Sequence, residues 1–247
     1  MIALRRIVIV GATSLIAQHV ARLWVAEGPA EVHLVGRDPE RLQAIGRDLS
    51  VRSAGTVTTA HVLDVLNLDA VEELAQSLTS SAVDLLLVAH GTLPSQQAQQ
   101  DDRALAAETL LINGNSTVLL LEAFIARMDP RVTASVVVIG SVAGDRGRRT
   151  NYVYGAAKAL VATYVGGLQH RLASTAIRVI LVKPGPTATP MTASLGRARL
   201  ASPERVAADI VKGVTKGAPV IYTPAIWRLI MLIIRHLPRV IFSRISV

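Results

Sequence analysis

The chain has 247 residues, half of them apolar, with few aromatics, no cysteine and a formal charge of +8. Lack of cysteine excludes disulfide frameworks and thiolate metal sites, and no metal is expected. With only two phenylalanines and no basic–aromatic interleaving, nucleic acid is not an expected partner; the surplus of base suits a phosphorylated ligand or an anionic lipid surface instead.

Arg6–Val10 is a short aliphatic run ending at Gly11, and it predicts a strand. A strand this close to the start leaves no room for a secretory signal, so a cytoplasmic chain is expected. Ile16 to Ala26 has helical periodicity and stops at Gly28-Pro29. Strand patterns then fall on Glu31–Val35, Val57–Leu63, Asp84–Ala89, Ser135–Gly140, Arg178–Val182 and Val220–Tyr222. Helical patterns fall between them, on Pro39 to about Ser53, Asp69–Ser80, Asp102–Met128 and Tyr152–Ala173. A further helix starts at Ser202-Pro203-Glu204, which supplies a cap and an N1 proline. The polar, Gln-rich stretch Thr92–Asp102 is expected to be a loop. Unbroken alternation of strand and helix predicts one doubly wound, Rossmann-type parallel sheet flanked by helices over residues 1–223. Residues 224–247 are expected to add an apolar and basic helical extension to the same domain.

Ser141 follows the fifth aliphatic strand, and Tyr154 and Lys158 stand four residues apart on the helix after it. Spacing of i, i+4 puts phenol and ammonium on one helix face. A neighbouring ammonium favours phenolate and predicts a lowered tyrosine pKa. Such a tyrosine is suited to proton transfer, with Ser141 hydrogen-bonding the reacting oxygen. A Y-x-x-x-K spacing also arises by chance, so its placement in the fold has to carry the assignment.

In a doubly wound sheet, ligands bind beyond the carboxyl ends of the strands. Gly11-Ala-Thr-Ser14-Leu-Ile-Ala17 lies there and opens the first helix, where small residues let the backbone approach a pyrophosphate. Only the first glycine of a full fingerprint is present, with Leu15 and Ala17 at the other two places. At the tip of the second strand, Gly36 leaves room and Arg37 supplies a cation for the extra phosphate of NADPH, which is expected over NADH. Asp38 could instead accept from the ribose, as NADH would require. Asp64 is placed to accept from an adenine amino group, and Ala89-His90-Gly91 to line the cofactor. His90 also reads as a satisfied loop histidine.

Taken in order, these residues resemble the short-chain dehydrogenase/reductase family over nearly the whole chain. The resemblance rests on the Gly11 turn, Asp64, Ala89-His-Gly91, Asn113, Ser141, Tyr154-x-x-x-Lys158 and Lys183-Pro-Gly-Pro-Thr187. Departures are the two lost glycines and His90, where the family usually has Asn. The resemblance implies a catalytic set of Asn113, Ser141, Tyr154 and Lys158, with Tyr154 as proton donor in reduction. Lys158 would hydrogen-bond the nicotinamide ribose and Asn113 would anchor a water to the lysine; Asn115, two residues on, is an alternative to Asn113. Implied cofactor contacts are Gly11, Thr13, Ser14, Leu15 and Ile16 at the turn, with Arg37, Asp64, Val65, Ala89, His90 and Gly91 beyond it. Tyr154, Lys158, Pro184, Gly185 and Thr187 complete them.

A narrower resemblance covers Ala143–Gly155, Pro184–Ala193 and Arg235–Phe242, which look like the reductases of decaprenylphosphoryl-arabinose synthesis. It implies a polyprenyl-phosphate-linked 2-keto-pentose as substrate and a flavin oxidase as partner enzyme. Arg146, Arg148 and Arg149 would then border the substrate mouth and bind its phosphate, unless they form a solvated loop or a subunit contact. In the tail, the apolar run Leu229–Ile234 is far short of the ~20 residues of a membrane span. Trp227 and Arg228, Arg235, Arg239 and Arg244 around it suit a helix lying on the inner face of a membrane; docking on the sheet or on another subunit is the alternative. A general lipid, 3-ketoacyl or small-alcohol dehydrogenase is the competing enzyme reading, and a non-catalytic dinucleotide-binding regulator the competing class. A homo-dimer or tetramer is implied by the resemblance alone.

Overall fold

The computed structural model describes residues 5–195 and 200–244. Seven strands form one parallel sheet: β1 Arg5–Val10, β2 Ala30–Gly36, β3 Val57–Val62, β4 Leu85–Val88, β5 Ala134–Ile139, β6 Ile177–Pro184 and β7 Val220–Thr223. Their order is β3-β2-β1-β4-β5-β6-β7. Chain direction across the sheet reverses between β1 and β4, and the doubly wound expectation is met. Helices are α1 Leu15–Ala26, α2 Pro39–Arg52, α3 Leu68–Leu78, α4 Gln96–Asp101, α5 Arg103–Leu110, α6 Ser116–Ile125, α7 Tyr152–Arg171, α8 Pro203–Thr215, α9 Ile226–His236 and the short α10 Arg239–Phe242.

The central strands are aliphatic on both sides because both sides are covered. Along β1, Ile7 and Ile9 point into a core shared with α1, α2 and α8. Val8 and Val10 point the opposite way, into a core shared with α3, α6 and α7, as the period of two requires. β3 lies at the sheet edge, and its Val57 and Val62 are exposed.

Two segments differ from expectation. Thr92–Asp102 is not all loop: Gln96–Asp101 forms α4, capped by the Ser95 hydroxyl accepting from the Ala98 N–H at 3.1 Å. Buried Gln96 accepts from the Val153 N–H at 3.2 Å, so polar side chains fasten this segment to the start of α7. Second, the helix expected over Asp102–Met128 is interrupted by a π turn at Leu111–Asn115. Composition and length would let Arg103–Ile125 cross a membrane, but Leu120, Leu121 and Phe124 are fully buried, as in a core helix.

The tail is helical and docks on the domain, the alternative kept open above. Met231 and Ile234 of α9 bury against Val142, joined by Tyr222, Trp227, Ile230 and Phe242. Its other side leaves Ile226, Leu229, Leu232 and Ile233 exposed, as are Val240 and Ile241 of α10. The last three residues of the expected extension lie outside the described residues.

Candidate active site

The carboxyl ends of β1, β4, β5 and β6 open onto one cleft of about 410 Å³. Ser141 follows β5 and caps a short 3₁₀ turn, Val142–Asp145, by accepting from the Ala143 N–H at 3.1 Å. Gly144 sits so close to the α7 backbone that a Cβ there would lie 2.6 Å from the Lys158 carbonyl carbon. This close approach sets Ser141 opposite the first turns of α7, and Ser141, Tyr154 and Lys158 line the same cleft.

Lys158 is 4% exposed, and its ammonium donates to the Ile139 carbonyl at 3.1 Å. It lies 5.8 Å from the centre of the Tyr154 ring. Burial draws the Lys158 pKa down to about 8. Tyr154 moves opposite to the sequence expectation: burial pushes its phenol up to about 12, with Ser141 pulling the other way. Desolvation of the phenolate outweighs that hydrogen bond with Ser141. A phenol that keeps its proton is suited to donating it.

Asn113 is fully buried in the π turn and lines the cleft, whereas Asn115 is exposed. The Asn113 amide donates to the Thr109 carbonyl at 2.9 Å and accepts from the Thr92 N–H at 3.0 Å. Its side chain therefore ties the chain leaving β4 to the helix. A π turn of this kind is a frequent device at functional sites. His90 is half satisfied. Ser116 donates to the Ile112 carbonyl at 2.7 Å, so His90 Nε2, 2.9 Å from the Ser116 oxygen, must be the donor. Nδ1 is then a buried acceptor without a partner among the described residues. Burial, helped by Lys158, lowers the His90 pKa to about 3, which leaves the ring neutral.

At the other end of the cleft, Gly11 has φ +78°, and a Cβ there would lie 2.7 Å from the Ala89 carbonyl carbon. Only glycine fits both constraints. Ser14 precedes α1 without a side-chain cap hydrogen bond, so the first N–H groups of that helix face the cleft. Thr13, Leu15, Ile16, Asp64, Val65, Ala89, Gly91, Pro184, Gly185 and Thr187 line the same cleft. Asp38 does not reach it. Its carboxylate caps α2, accepting from the Arg41 N–H at 3.0 Å. Arg37 and Arg41 both line the cleft instead. Arg41, which the sequence reading missed, donates to the Thr13 carbonyl at 3.4 Å; its signal is the position one helical turn beyond Arg37. This cradle fits a dinucleotide: a turn that excludes a Cβ, an uncapped helix start, and two guanidiniums at the tip of β2.

The family model for the short chain dehydrogenases matches residues 5–200. The chain belongs to that family. It is 32% identical over 249 residues to an uncharacterised oxidoreductase of Streptomyces coelicolor, covering 98% of this chain and 96% of the relative. Its fold is that of a short-chain dehydrogenase from Burkholderia cenocepacia in complex with NADP, with TM-score 0.83, 18% identity and 100% of both chains covered. It is also that of a short-chain dehydrogenase from Sphingobium yanoikuyae in complex with NADPH, with TM-score 0.83 and 23% identity over 99% and 97% of the two chains. As a member of this family the protein is an NAD(P)-dependent oxidoreductase.

Within this short-chain dehydrogenase, the segment between Ser141 and Tyr154 splits its charges four ways. Asp145 turns inward, where Lys183 pairs with it and the Tyr222 hydroxyl donates to it at 2.8 Å. Arg146 turns to the tail rather than to the cleft. Its guanidinium donates to the carbonyls of Ile234 and Leu237, the latter at 2.7 Å, and stacks 3.8 Å from the centre of the Phe242 ring. It caps the end of α9, as a cation at a helix C-terminus does. Arg149 is exposed, and Arg148 alone of the three lines the cleft. The expected three-arginine phosphate cluster is therefore not assembled at the cleft. Trp227 of α9 lies on Gly185, filling the space a side chain there would take.

Proposed function

We propose that the protein is an NADPH-dependent reductase of a ketone. The observation that carries this reading is the shared cleft, with Ser141, Tyr154 and Lys158 at one end and the Gly11 turn with Arg37 and Arg41 at the other. The nicotinamide, when bound, supplies the hydride. The Tyr154 phenol gives its proton to the carbonyl oxygen, which Ser141 holds in place. Lys158, anchored on the Ile139 carbonyl, steadies the phenolate left behind. Asn113 positions the Gly91–Thr92 turn beside them. Arg37 and Arg41 favour NADPH because guanidiniums match a ribose phosphate, and because Asp38, as a helix cap, does not compete for ribose hydroxyls.

A narrower reading is that the ketone belongs to a polyprenyl-phosphate-linked pentose made by a flavin oxidase. Arg148 in the cleft and the exposed apolar side of α9 and α10 support it; the engagement of Arg146 with the tail removes one of the cations it invoked. The same tail supports contact with an anionic membrane. Ile226, Leu229, Leu232 and Ile233 stay uncovered while Arg228 and Arg235, seven residues apart on one stripe, and Arg239 and Arg244 are all exposed. Exposed Leu110, Leu119 and Leu160 on α5, α6 and α7 support a homo-oligomer.

Titration with NADPH and NADH, followed by assay of a polyprenyl-phosphoryl keto-pentose beside a 3-ketoacyl thioester, tests the readings in turn. Tighter NADPH and turnover of either ketone is expected. Faster reduction of the thioester would overturn the narrower substrate; cofactor binding without any reduction would favour a regulator. Flotation with phosphatidylglycerol vesicles, but not with phosphatidylcholine vesicles, is expected for the tail contact. Self-association without flotation would assign the face to a second copy.

A further inference from the structure

Arg148 stands at the edge of the cleft with no ion pair among the described residues. Its Nε is buried and has no hydrogen-bond partner among the described residues. The acid whose field reaches it is Asp145. Both oxygens of that carboxylate are already engaged, one by the Lys183 ammonium and the other by the Tyr222 hydroxyl at 2.8 Å. Burial accordingly lowers the Arg148 pKa in spite of Asp145. Three residues on, Asn151 also lines the cleft and holds a buried Oδ1 without a partner among the described residues. A half-turn of its amide exchanges that acceptor for an NH2 donor.

Phosphates of a dinucleotide have their own cradle at the far end, in the Gly11 turn and at Arg37 and Arg41. Arg148 and Asn151 lie instead in the segment joining Ser141 to Tyr154, on the side where the reacting carbonyl is held. A guanidinium whose Nε is buried and unpartnered suits a planar or tetrahedral anion with two oxygens to accept its fork. We propose that Arg148, assisted by Asn151, binds an anionic group of the substrate, a phosphate or a carboxylate, and so selects charged ketones over neutral ones. This rests on the reductase reading above.

The test is steady-state reduction with NADPH of two matched pairs: dihydroxyacetone phosphate against dihydroxyacetone, and levulinate against methyl levulinate. The native enzyme is expected to favour the charged member of at least one pair by ~10-fold or more in kcat/KM, the size of one charged hydrogen bond. R148Q should bring that ratio close to one, mainly through KM. R148K should restore only part of it, since an ammonium lacks the fork. The pair with the larger ratio tells phosphate from carboxylate. A preference for the neutral member of both pairs, or a ratio that R148Q leaves intact, overturns the proposal. If no ketone is reduced, it is the reductase reading that fails, and the subsite is read directly by titrating inorganic phosphate calorimetrically into the NADP⁺-saturated protein. Binding that is lost in R148Q upholds the anion site; no binding, or equal binding in R148Q, overturns it.

Discussion

The two ends of the cleft are built by different means. At the dinucleotide end the working groups are mostly backbone: the Gly11 turn, the start of α1 and the chain leaving β4. All are fixed by strand ends and by glycines that exclude a Cβ. At the substrate end the working groups are long side chains on the stretch between the 3₁₀ turn and α7, where neighbouring positions point in unrelated directions. Arg146 and Arg148 are two residues apart; one clamps α9 and the other faces the cleft. A fold can reuse the first end unchanged, whereas the second is respecified by single side chains.

That contrast is broken most sharply by removing the proposed proton donor, Tyr154. Tyr154→Phe should lower turnover ~10²-fold or more while NADPH binding, followed by calorimetry, stays within about twofold; near-normal turnover would refute the catalytic assignment. At the backbone end, Gly11→Ala adds a methyl against Ala89 and His90 at a positive φ. NADPH affinity should fall at least ~10-fold, by about 1.4 kcal/mol or more, with the fold retained by circular dichroism. Replacing both Arg37 and Arg41 by alanine should weaken NADPH ~10-fold and NADH much less; equal losses would undercut the phosphate role.

The pH profile separates the two titrating groups. The proposed reduction needs Tyr154 protonated and Lys158 charged. Tyr154 holds its proton up to about 12, so the alkaline limb belongs to Lys158, and kcat should fall as pH rises through about 8. Lys158→Arg, which stays charged, should move that limb upward; an unmoved limb would assign it elsewhere. The smallest effect is expected at the clamp. Arg146→Ala removes a cap and a cation–π contact. It should cost about 1 kcal/mol and lower Tm by ~3 °C, with the NADPH affinity little changed.

Residues whose position follows from the backbone were legible in the sequence, because strand ends and glycine turns are local signals. Every expected cofactor contact lines the cleft, and the seven strands fall within a few residues of their predicted spans. What escaped depends on contacts between distant segments. The π turn at Leu111–Asn115 leaves no mark on helical periodicity. α4 is polar, and buried Gln96 and Gln99 are what set it against its surroundings. The upward shift of Tyr154 comes from desolvation, which only the packed structure supplies. Arg146, Arg148 and Arg149 look alike in the sequence, and their different fates are decided by whether α9 comes back past them.

Trp227 gives the protein a built-in optical gauge. Of the two tryptophans in the chain, Trp24 is sealed in the core between sheet and helix at 2% exposure. Trp227 instead lies on Gly185, which lines the cleft. A change in indole emission when ligand enters the cleft therefore reports on the docked tail, and Trp227→Phe should silence it.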